Sequence, residues 1–279
     1  MNKTYKELIQ YWFLEDIGDG DHTSLSCIPE FAVGKSRLII KEKGVLAGVE
    51  VAREIFNAFD SSLKMTVFIK DGSEVNVGDV AFEVEGKILS LLQTERLMLN
   101  IMQRMSGVAT VTRKYVKQLE GLKTKVLDTR KTTPGLRLLE KQAVKLGGGE
   151  NHRIGLFDMI LLKDNHVDFA GGIENAILSA QKYCKEKGKS LKIEIEVRNF
   201  EELGRVLKLG GVDRIMLDNF TPENTKKAVE IINGRYETES SGGITFDTLR
   251  TYAECGVDYI SVGALTHSVK SLDMSFKAV

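Results

Sequence analysis

The chain has 279 residues, 42% hydrophobic and 28% charged, with 39 basic and 39 acidic side chains and a formal net charge of +0. This length gives one large domain or two smaller ones with an ample core. The charge balance excludes a general binder of nucleic acid or acidic membrane, and no apolar run approaches the roughly 18 residues that span a bilayer.

The opening residues MNKTYKELIQYW do not read as a signal peptide. Residues 3 to 14 place Leu8, Tyr11, Trp12 and Tyr5 on one helical stripe. The following Glu15-Asp16-Ile17-Gly18-Asp19-Gly20-Asp21 has the Asp and Gly density of a calcium loop. It lacks the EF-hand spacing and distal glutamate, so it reads as a structural turn. Residues 33 to 90 change character. Val33–Lys41, Gly44–Ala47, Lys64–Ile69 and Ala81–Glu85 are short strand candidates split by glycines, with a further short strand between two turns in 71 to 79. Residues 90 to 119 return to helix, with Leu92, Leu99 and Met102 near one face. Gly107 is expected to break that helix and mark a domain boundary.

From about residue 125 the pattern becomes strand–helix–strand. The strand candidates are Lys125–Asp128, Met159–Lys163, Lys192–Val197, Arg214–Asp218, Tyr236–Ser240 and Asp258–Val262. Between them, Leu136, Leu139, Ala143 and Leu146 mark an amphipathic helix stopped by Gly147-Gly148-Gly149. Thr221-Pro222 caps a second helix, and Thr245 is expected to cap a third that runs to Cys255. Regular alternation implies a parallel sheet with helices outside, and no G-x-G-x-x-G follows a strand. Six such units in about 160 residues favour an incomplete barrel. The expected division is a first α/β domain over residues 1–107 and an α/β barrel over 108–265, with 266–279 packing back on the first. Cys27, Cys184 and Cys255 are scattered and free of C-x-x-C spacing. They read as reduced cytoplasmic thiols, each a small core residue, and offer no zinc site.

Chemistry concentrates in residues 129 to 166. Seven Lys or Arg side chains fall there against four acidic ones, with His152 and His166. Arg grips carboxylate and phosphate through two parallel hydrogen bonds, so such a cluster around Gly-rich turns suits a small polyanion. A solvated helix face accounts for Lys141 and Lys145. It does not account for Thr129-Arg130-Lys131, Asn151-His152-Arg153 or Lys163, which flank strand ends. In a barrel the active site lies at the C-terminal ends of the strands. Period-two alternation puts Lys192, Glu194 and Glu196 on one face of a strand buried on both sides. Glu194 fits a buried Lys–Glu pair, whereas Glu196, nearer the C-terminal end, fits a functional role. Asp218 closes the next strand, as a turn residue or as a second carboxylate that with Glu196 would hold Mg²⁺ directly or through water. Ser240-Ser241-Gly242-Gly243 and Gly263-Ala264-Leu265-Thr266-His267 follow the last two strands, where barrels commonly bind phosphate.

These blocks carry a resemblance. Asp128-Thr129-Arg130-Lys131-Thr132-Thr133-Pro134-Gly135, Gly148-Gly149-Glu150-Asn151-His152-Arg153, Leu162-Lys163-Asp164-Asn165-His166, Leu217-Asp218-Asn219-Phe220, Glu239-Ser240-Ser241-Gly242-Gly243 and Ser261-Val262-Gly263-Ala264-Leu265-Thr266-His267 resemble the signature blocks of quinolinate phosphoribosyltransferases. The resemblance spans nearly the whole chain. It implies an N-terminal α/β sandwich domain, a C-terminal barrel of about seven strands, and a homodimer in which each barrel mouth is covered by the partner's N-terminal domain. It implies a cytoplasmic, Mg²⁺-dependent pentosyltransferase of de novo NAD biosynthesis. Quinolinate and phosphoribosyl diphosphate (PRPP) would give nicotinate mononucleotide, diphosphate and CO₂. By resemblance, Arg130, His152, Arg153 and Lys163 would hold the quinolinate carboxylates, beside Thr129, and Arg96 would reach in from the neighbouring subunit. Lys131 would meet diphosphate or ribose, and Glu196 and Asp218 the ribose hydroxyls and magnesium. Ser241, Gly242, Gly243, Gly263, Ala264, Leu265 and His267 would cradle the 5′-phosphate. Lys131, Lys163, Glu196 and Asp218 are the expected catalytic groups. Two rivals are a molybdenum-transport-associated relative with a different ligand and a catalytically silent phosphosugar-binding module.

Overall fold

The computed structural model describes residues 3–279, with side chains from residue 7. By contact density the chain forms two compact units. One takes the chain up to Arg113 together with Thr133–Gly148 and Ser268–Val279, and the other takes Lys114–Thr132 and Gly149–His267.

In the first unit, helix α1 (Lys3–Ile17) precedes a short helix α2 (His22–Cys27). Asp21 caps α2, its Oδ1 accepting from the Ser24 N–H at 3.1 Å, so the Asp/Gly run builds a turn and a cap. The expected stripe on α1 is shifted. Ile9 is buried, Phe13 packs on Phe59 with ring centroids 5.0 Å apart, and Tyr11 is exposed. The i, i+4 pair of purely apolar side chains sets the buried face, while a tyrosine keeps its hydroxyl in water. Tyr5's side chain lies outside the described residues.

The strands β1 (Val33–Ile40), β2 (Gly44–Val45), β3 (Lys64–Val67), β4 (Glu74–Val75) and β5 (Val80–Lys87) follow, with helix α3 (Val49–Phe59) between β2 and β3. A four-stranded antiparallel sheet has the order β12-β1-β5-β3, in which β12 (Met274–Ala278) comes from the far end of the chain. Its register sets Leu38 opposite Phe276 and Phe82. Alternation puts these on one face, where Phe82, Phe276 and Phe56 of α3 form a ring cluster with centroids 6.1 to 6.4 Å apart.

Helix α4 (Ile88–Gln118) runs unbroken for 31 residues. The expected break at Gly107 does not occur, because one glycine costs a helix only about 1 kcal/mol. Here the glycine serves packing: a Cβ would collide with the Lys270 carbonyl oxygen. Leu92 is exposed, whereas Leu99 and Met102 are buried as expected. Helix α5 (Arg137–Leu146) clusters with this unit, where the buried Glu140 accepts from Arg104 Nε and Nη2 at 3.0 and 2.7 Å. Lys141, read as a wet helix face, is buried, while Lys145 is exposed. The hydrophobic stripe of α5 is wide enough to take the lysine stem with it.

The second unit contains β6 (Lys125–Leu127), β7 (Ile160–Leu162), α6 (Asp164–Phe169), α7 (Ile173–Glu186), β8 (Ile193–Val197), α8 (Phe200–Leu209), β9 (Arg214–Asp218), α9 (Pro222–Ile232), β10 (Glu237–Ser241), α10 (Leu249–Ala253), β11 (Tyr259–Ser261) and α11 (Ala264–His267). The six strands form one parallel sheet in the order β6-β11-β10-β9-β8-β7, and Glu150 adds a single rung beside Leu127. The assigned count is thus six, not seven. Thr221 caps α9 as expected, accepting from the Asn224 N–H, with Pro222 in the first turn. Thr245 does not cap α10. That helix begins at Leu249, and Thr248 Oγ1 instead accepts from the Thr245 N–H at 3.0 Å. None of the three cysteines is buried, and Cys27 is exposed. Small size permits core placement but does not require it.

The sheet is curled. His152 stands beside the Glu150 rung, yet its Nε2 lies 3.0 Å from Glu194 on β8 and 3.4 Å from Glu239 on β10. In a flat sheet the rung and β8 would be five strand spacings apart, roughly 24 Å. The inward side chains therefore face a common interior, and an incomplete barrel describes it.

Candidate active site

The site is built in the second unit from residues just past the C-terminal ends of the strands. After β6, the buried Asp128 fixes the neighbouring segment. Its Oδ1 accepts from the His152 N–H at 2.9 Å and its Oδ2 from Asn151 Nδ2 at 2.6 Å. Thr129 Oγ1 accepts from the Lys131 N–H at 3.0 Å, and the Lys131 carbonyl accepts from Thr266 Oγ1 at 2.8 Å. Lys131 is thereby brought to the turn after β11. A Cβ on Gly263 would lie 3.1 Å from Lys131 Cδ and 3.0 Å from the His267 ring, so these three residues converge.

Past β7, Lys163 begins α6, where His166 Nδ1 accepts the Lys163 N–H at 3.0 Å. His166 is thus a helix-starting acceptor. The Lys163 ammonium reaches Glu196 Oε2 on β8 at 3.2 Å. Burial pushes the Glu196 carboxyl up, Lys163 opposes this, and Asp218 on the adjacent β9 adds to it. Asp218 Oδ2 accepts from Asn219 Nδ2 at 2.7 Å. Asn219 has φ 55° and donates its N–H to the Ser241 carbonyl. Gly242 then turns at φ +96°, with the Asn219 side chain where its Cβ would be. Only glycine fits that turn.

A cavity of about 200 Å³ opens among Thr129, Arg130, Lys131, His152, Arg153 and Lys163, with Ser241, Ser261, Leu161, Met216 and Glu239 completing its wall. Seven of the expected site residues thus line one space. Glu196 and Asp218 adjoin it through Lys163 and through the Ser241–Asp218 register. Gly243, Ala264 and Leu265 continue the two turns, Leu265 buried. Arg96 is exposed on α4, in the other unit. Arg153 is largely buried, and burial, then the nearby Arg130, pulls its guanidinium down from its usual range.

Sequence reasoning missed the floor of the cavity. Glu194 was expected to pair with a lysine, but its neighbours are His152 and Glu239. Glu239 Oε2 lies 3.0 Å from Arg214 Nη1, and both glutamates are fully buried. Burial, then Glu239, pushes Glu194 up to about 7. Burial alone would lower His152, but the two carboxylates outweigh it and raise it to about 9. The Arg153 N–H points at His152 Nδ1 at 2.8 Å, which opposes a proton there and keeps one on Nε2. One further proton is therefore shared between His152 and Glu194, and it belongs to the pair. The signal that could have found this floor is a charged residue in the middle of a strand buried on both faces. His152, Glu194 and Glu239 bring donor atoms within 4.8 Å of one another. With Arg214 already on Glu239, the group is balanced as an ion cluster. Glu196 and Asp218, on adjacent strands and with Asp218 adding to the rise of the Glu196 carboxyl, are a pair of oxygen donors of the kind a hard divalent cation takes.

The family model for the quinolinate phosphoribosyl transferase C-terminal domain matches residues 108–277, and that for the N-terminal domain matches residues 21–106. The chain belongs to the quinolinate phosphoribosyltransferase family. It is 43% identical to a probable nicotinate-nucleotide pyrophosphorylase (carboxylating) of Bacillus subtilis, over 97% of this chain and 92% of the relative. It is 44% identical to the chloroplastic nicotinate-nucleotide pyrophosphorylase (carboxylating) of Arabidopsis thaliana, over 98% of this chain and 82% of that one. The solved nicotinate-nucleotide pyrophosphorylase of Francisella tularensis superposes with a TM-score of 0.93 at 40% identity, covering 100% of this chain and 97% of that one. The family is enzymatic, which sets aside a catalytically silent module.

Proposed function

We propose that the chain transfers the phosphoribosyl group of PRPP to quinolinate with decarboxylation, giving nicotinate mononucleotide, diphosphate and CO₂ for NAD biosynthesis. The observation that carries this reading is the convergence of Arg130, Lys131, His152, Arg153 and Lys163 on one cavity bordered by Glu196 and Asp218. A dicarboxylate answers the cationic wall through Arg130, Arg153 and Lys163. Leu161 and Met216 offer apolar surface to an aromatic ring. Lys131, at the Gly263 turn, is placed for the leaving diphosphate, and the Ser241–Gly243 and Gly263–Leu265 turns for the 5′-phosphate.

Cleavage of the C1–diphosphate bond builds positive charge on the ribose, which the Glu196 carboxylate can stabilise, and negative charge on the leaving group, which Lys131 meets. The ring nitrogen of quinolinate forms the new bond to C1. The ring-adjacent carboxylate then leaves as CO₂, its bonding electrons passing to the pyridinium ring carbon, which takes up a proton. The protein need only hold the ring and let that carboxylate go. Lys163, bound to Glu196 and beside the cavity, is our candidate to assist. We assign Mg²⁺ to Glu196 and Asp218; when bound it would offset charge on the diphosphate. We further propose a homodimer at least, with Arg96 reaching the neighbouring site, and a cytoplasmic setting. No described helix is long and apolar enough to cross a membrane.

Incubation with quinolinate, PRPP and Mg²⁺ should yield nicotinate mononucleotide, and nicotinate in place of quinolinate should not. Absence of product from quinolinate would overturn the reading. The names carried by the relatives favour it over a molybdenum-transport-associated role.

A further inference from the structure

The floor beneath the cavity is costly to build. Four ionisable side chains, His152, Glu194, Arg214 and Glu239, sit together in the barrel interior, and neither Glu194 oxygen has an aligned hydrogen-bond donor. Buried charge without full hydrogen bonding is destabilising, and a set of well-packed apolar side chains would be at least as stable. Such an arrangement calls for a function. Its geometry names one. His152 has little freedom: its backbone N–H is held by Asp128, its Nδ1 takes the Arg153 N–H, and its Nε2 faces both floor carboxylates. Ring orientation and the Arg153 backbone are therefore set by the same contacts, and Arg153 carries the most buried guanidinium in the cavity wall.

We propose that Glu239 and Glu194, anchored by Arg214, are positioning residues that lock the His152 ring from below and, through its Nδ1, fix Arg153 in the substrate-facing wall. This deepens the reading of the cavity as a dicarboxylate site and rests on it. Glu194 on β8 and Glu239 on β10 face the His152 ring, Arg214 on β9 pairs with Glu239, and Asp128 after β6 holds the His152 backbone N–H. Lys163, past β7, is engaged by Glu196. Ser261 on β11 supports Glu239.

The chain has only four histidines, so the ring ¹H–¹⁵N signals of His152 can be assigned by their loss in His152→Gln. In the wild-type protein without substrate, the Nε2–H signal should persist from about pH 6 to about pH 8. In Glu239→Gln the His152 signal should shift and broaden. In the assay, Glu239→Gln should raise KM for quinolinate about tenfold, with KM for PRPP within about twofold. Combined with His152→Gln it should add little further loss. A His152 ring that titrates freely in the wild type overturns the proposal, even if no variant folds. So does a Glu239→Gln enzyme whose two KM values rise together, or whose loss adds fully to that of His152→Gln. The spectroscopic arm needs no turnover, so a protein inactive on quinolinate would sink the functional reading and leave the locked ring to be judged separately.

Discussion

The contact between Lys163 and Glu196 yields the plainest test at the scale of a residue. The ammonium lies 3.2 Å from a carboxylate that burial has pushed up, and its charge opposes that rise. Lys163→Ala removes a cation from the cavity and a partner from Glu196. Turnover of quinolinate should fall at least about 100-fold, the loss typical of removing one preorganised charge-stabilising group. Steady-state kinetics check it, and a variant with full turnover would remove Lys163 from the chemistry. At this scale much was legible in the sequence. Arg130, Lys131, His152, Arg153 and Lys163 stand at strand ends, where charge has no structural excuse. Glu239 lay within a strand candidate but was given no role of its own, because a single glutamate followed by serines and glycines draws attention to the turn after it rather than to its own burial. Lys141 misled for the opposite reason, since helical spacing does not tell which lysine stem is covered.

Elements were legible where their period was clean. All six parallel strands fall within a residue or two of where short apolar runs put them, and α9 starts at its Thr-Pro pair. The failures sit where a tertiary contact outweighs a local preference. Gly107 reads as a breaker, yet α4 continues through it because the 270 region packs against the bare backbone. Gly107→Ala should therefore lower stability by about 1–3 kcal/mol, although alanine is the better helix former. Chemical denaturation measures this directly, and a stabilised variant would show that the close approach is not tight. The start of α10 was missed because Thr245 and Thr248 are equally good capping residues on paper, and only the loop after Gly243 decides between them.

At the scale of the whole molecule, the floor cluster ties stability to pH. The folded chain holds a proton between His152 and Glu194 that the unfolded chain releases earlier. The Glu194 share is complete below about 4.5 and lost as pH rises through about 7. The His152 share is complete below 6.5 and lost as pH rises through about 9. Both shifts are upward, so both contributions fall with rising pH. The denaturation midpoint should thus decline between about pH 7 and about pH 9, and the decline should shrink in Glu239→Gln. A midpoint that rises over that window would contradict the cluster's proton count. The division of the chain was the least legible feature. Residues 129–166 look continuous in sequence, but Thr133–Gly148 cluster with the N-terminal unit while the segments on either side carry the site. Charge density marks the stretch and cannot show that its middle faces elsewhere.

The place of β12 sets an order in time. Strand β1 is flanked on one side by a strand that the ribosome makes more than two hundred residues later. During synthesis the first sheet therefore waits with an open edge, its backbone donors and acceptors available to any extended chain nearby. The barrel strands, by contrast, pair only among themselves, all of them lying between residues 125 and 261. The part begun first is thus the part finished last, and the interval between is when a nascent chain of this family most needs protection from its neighbours.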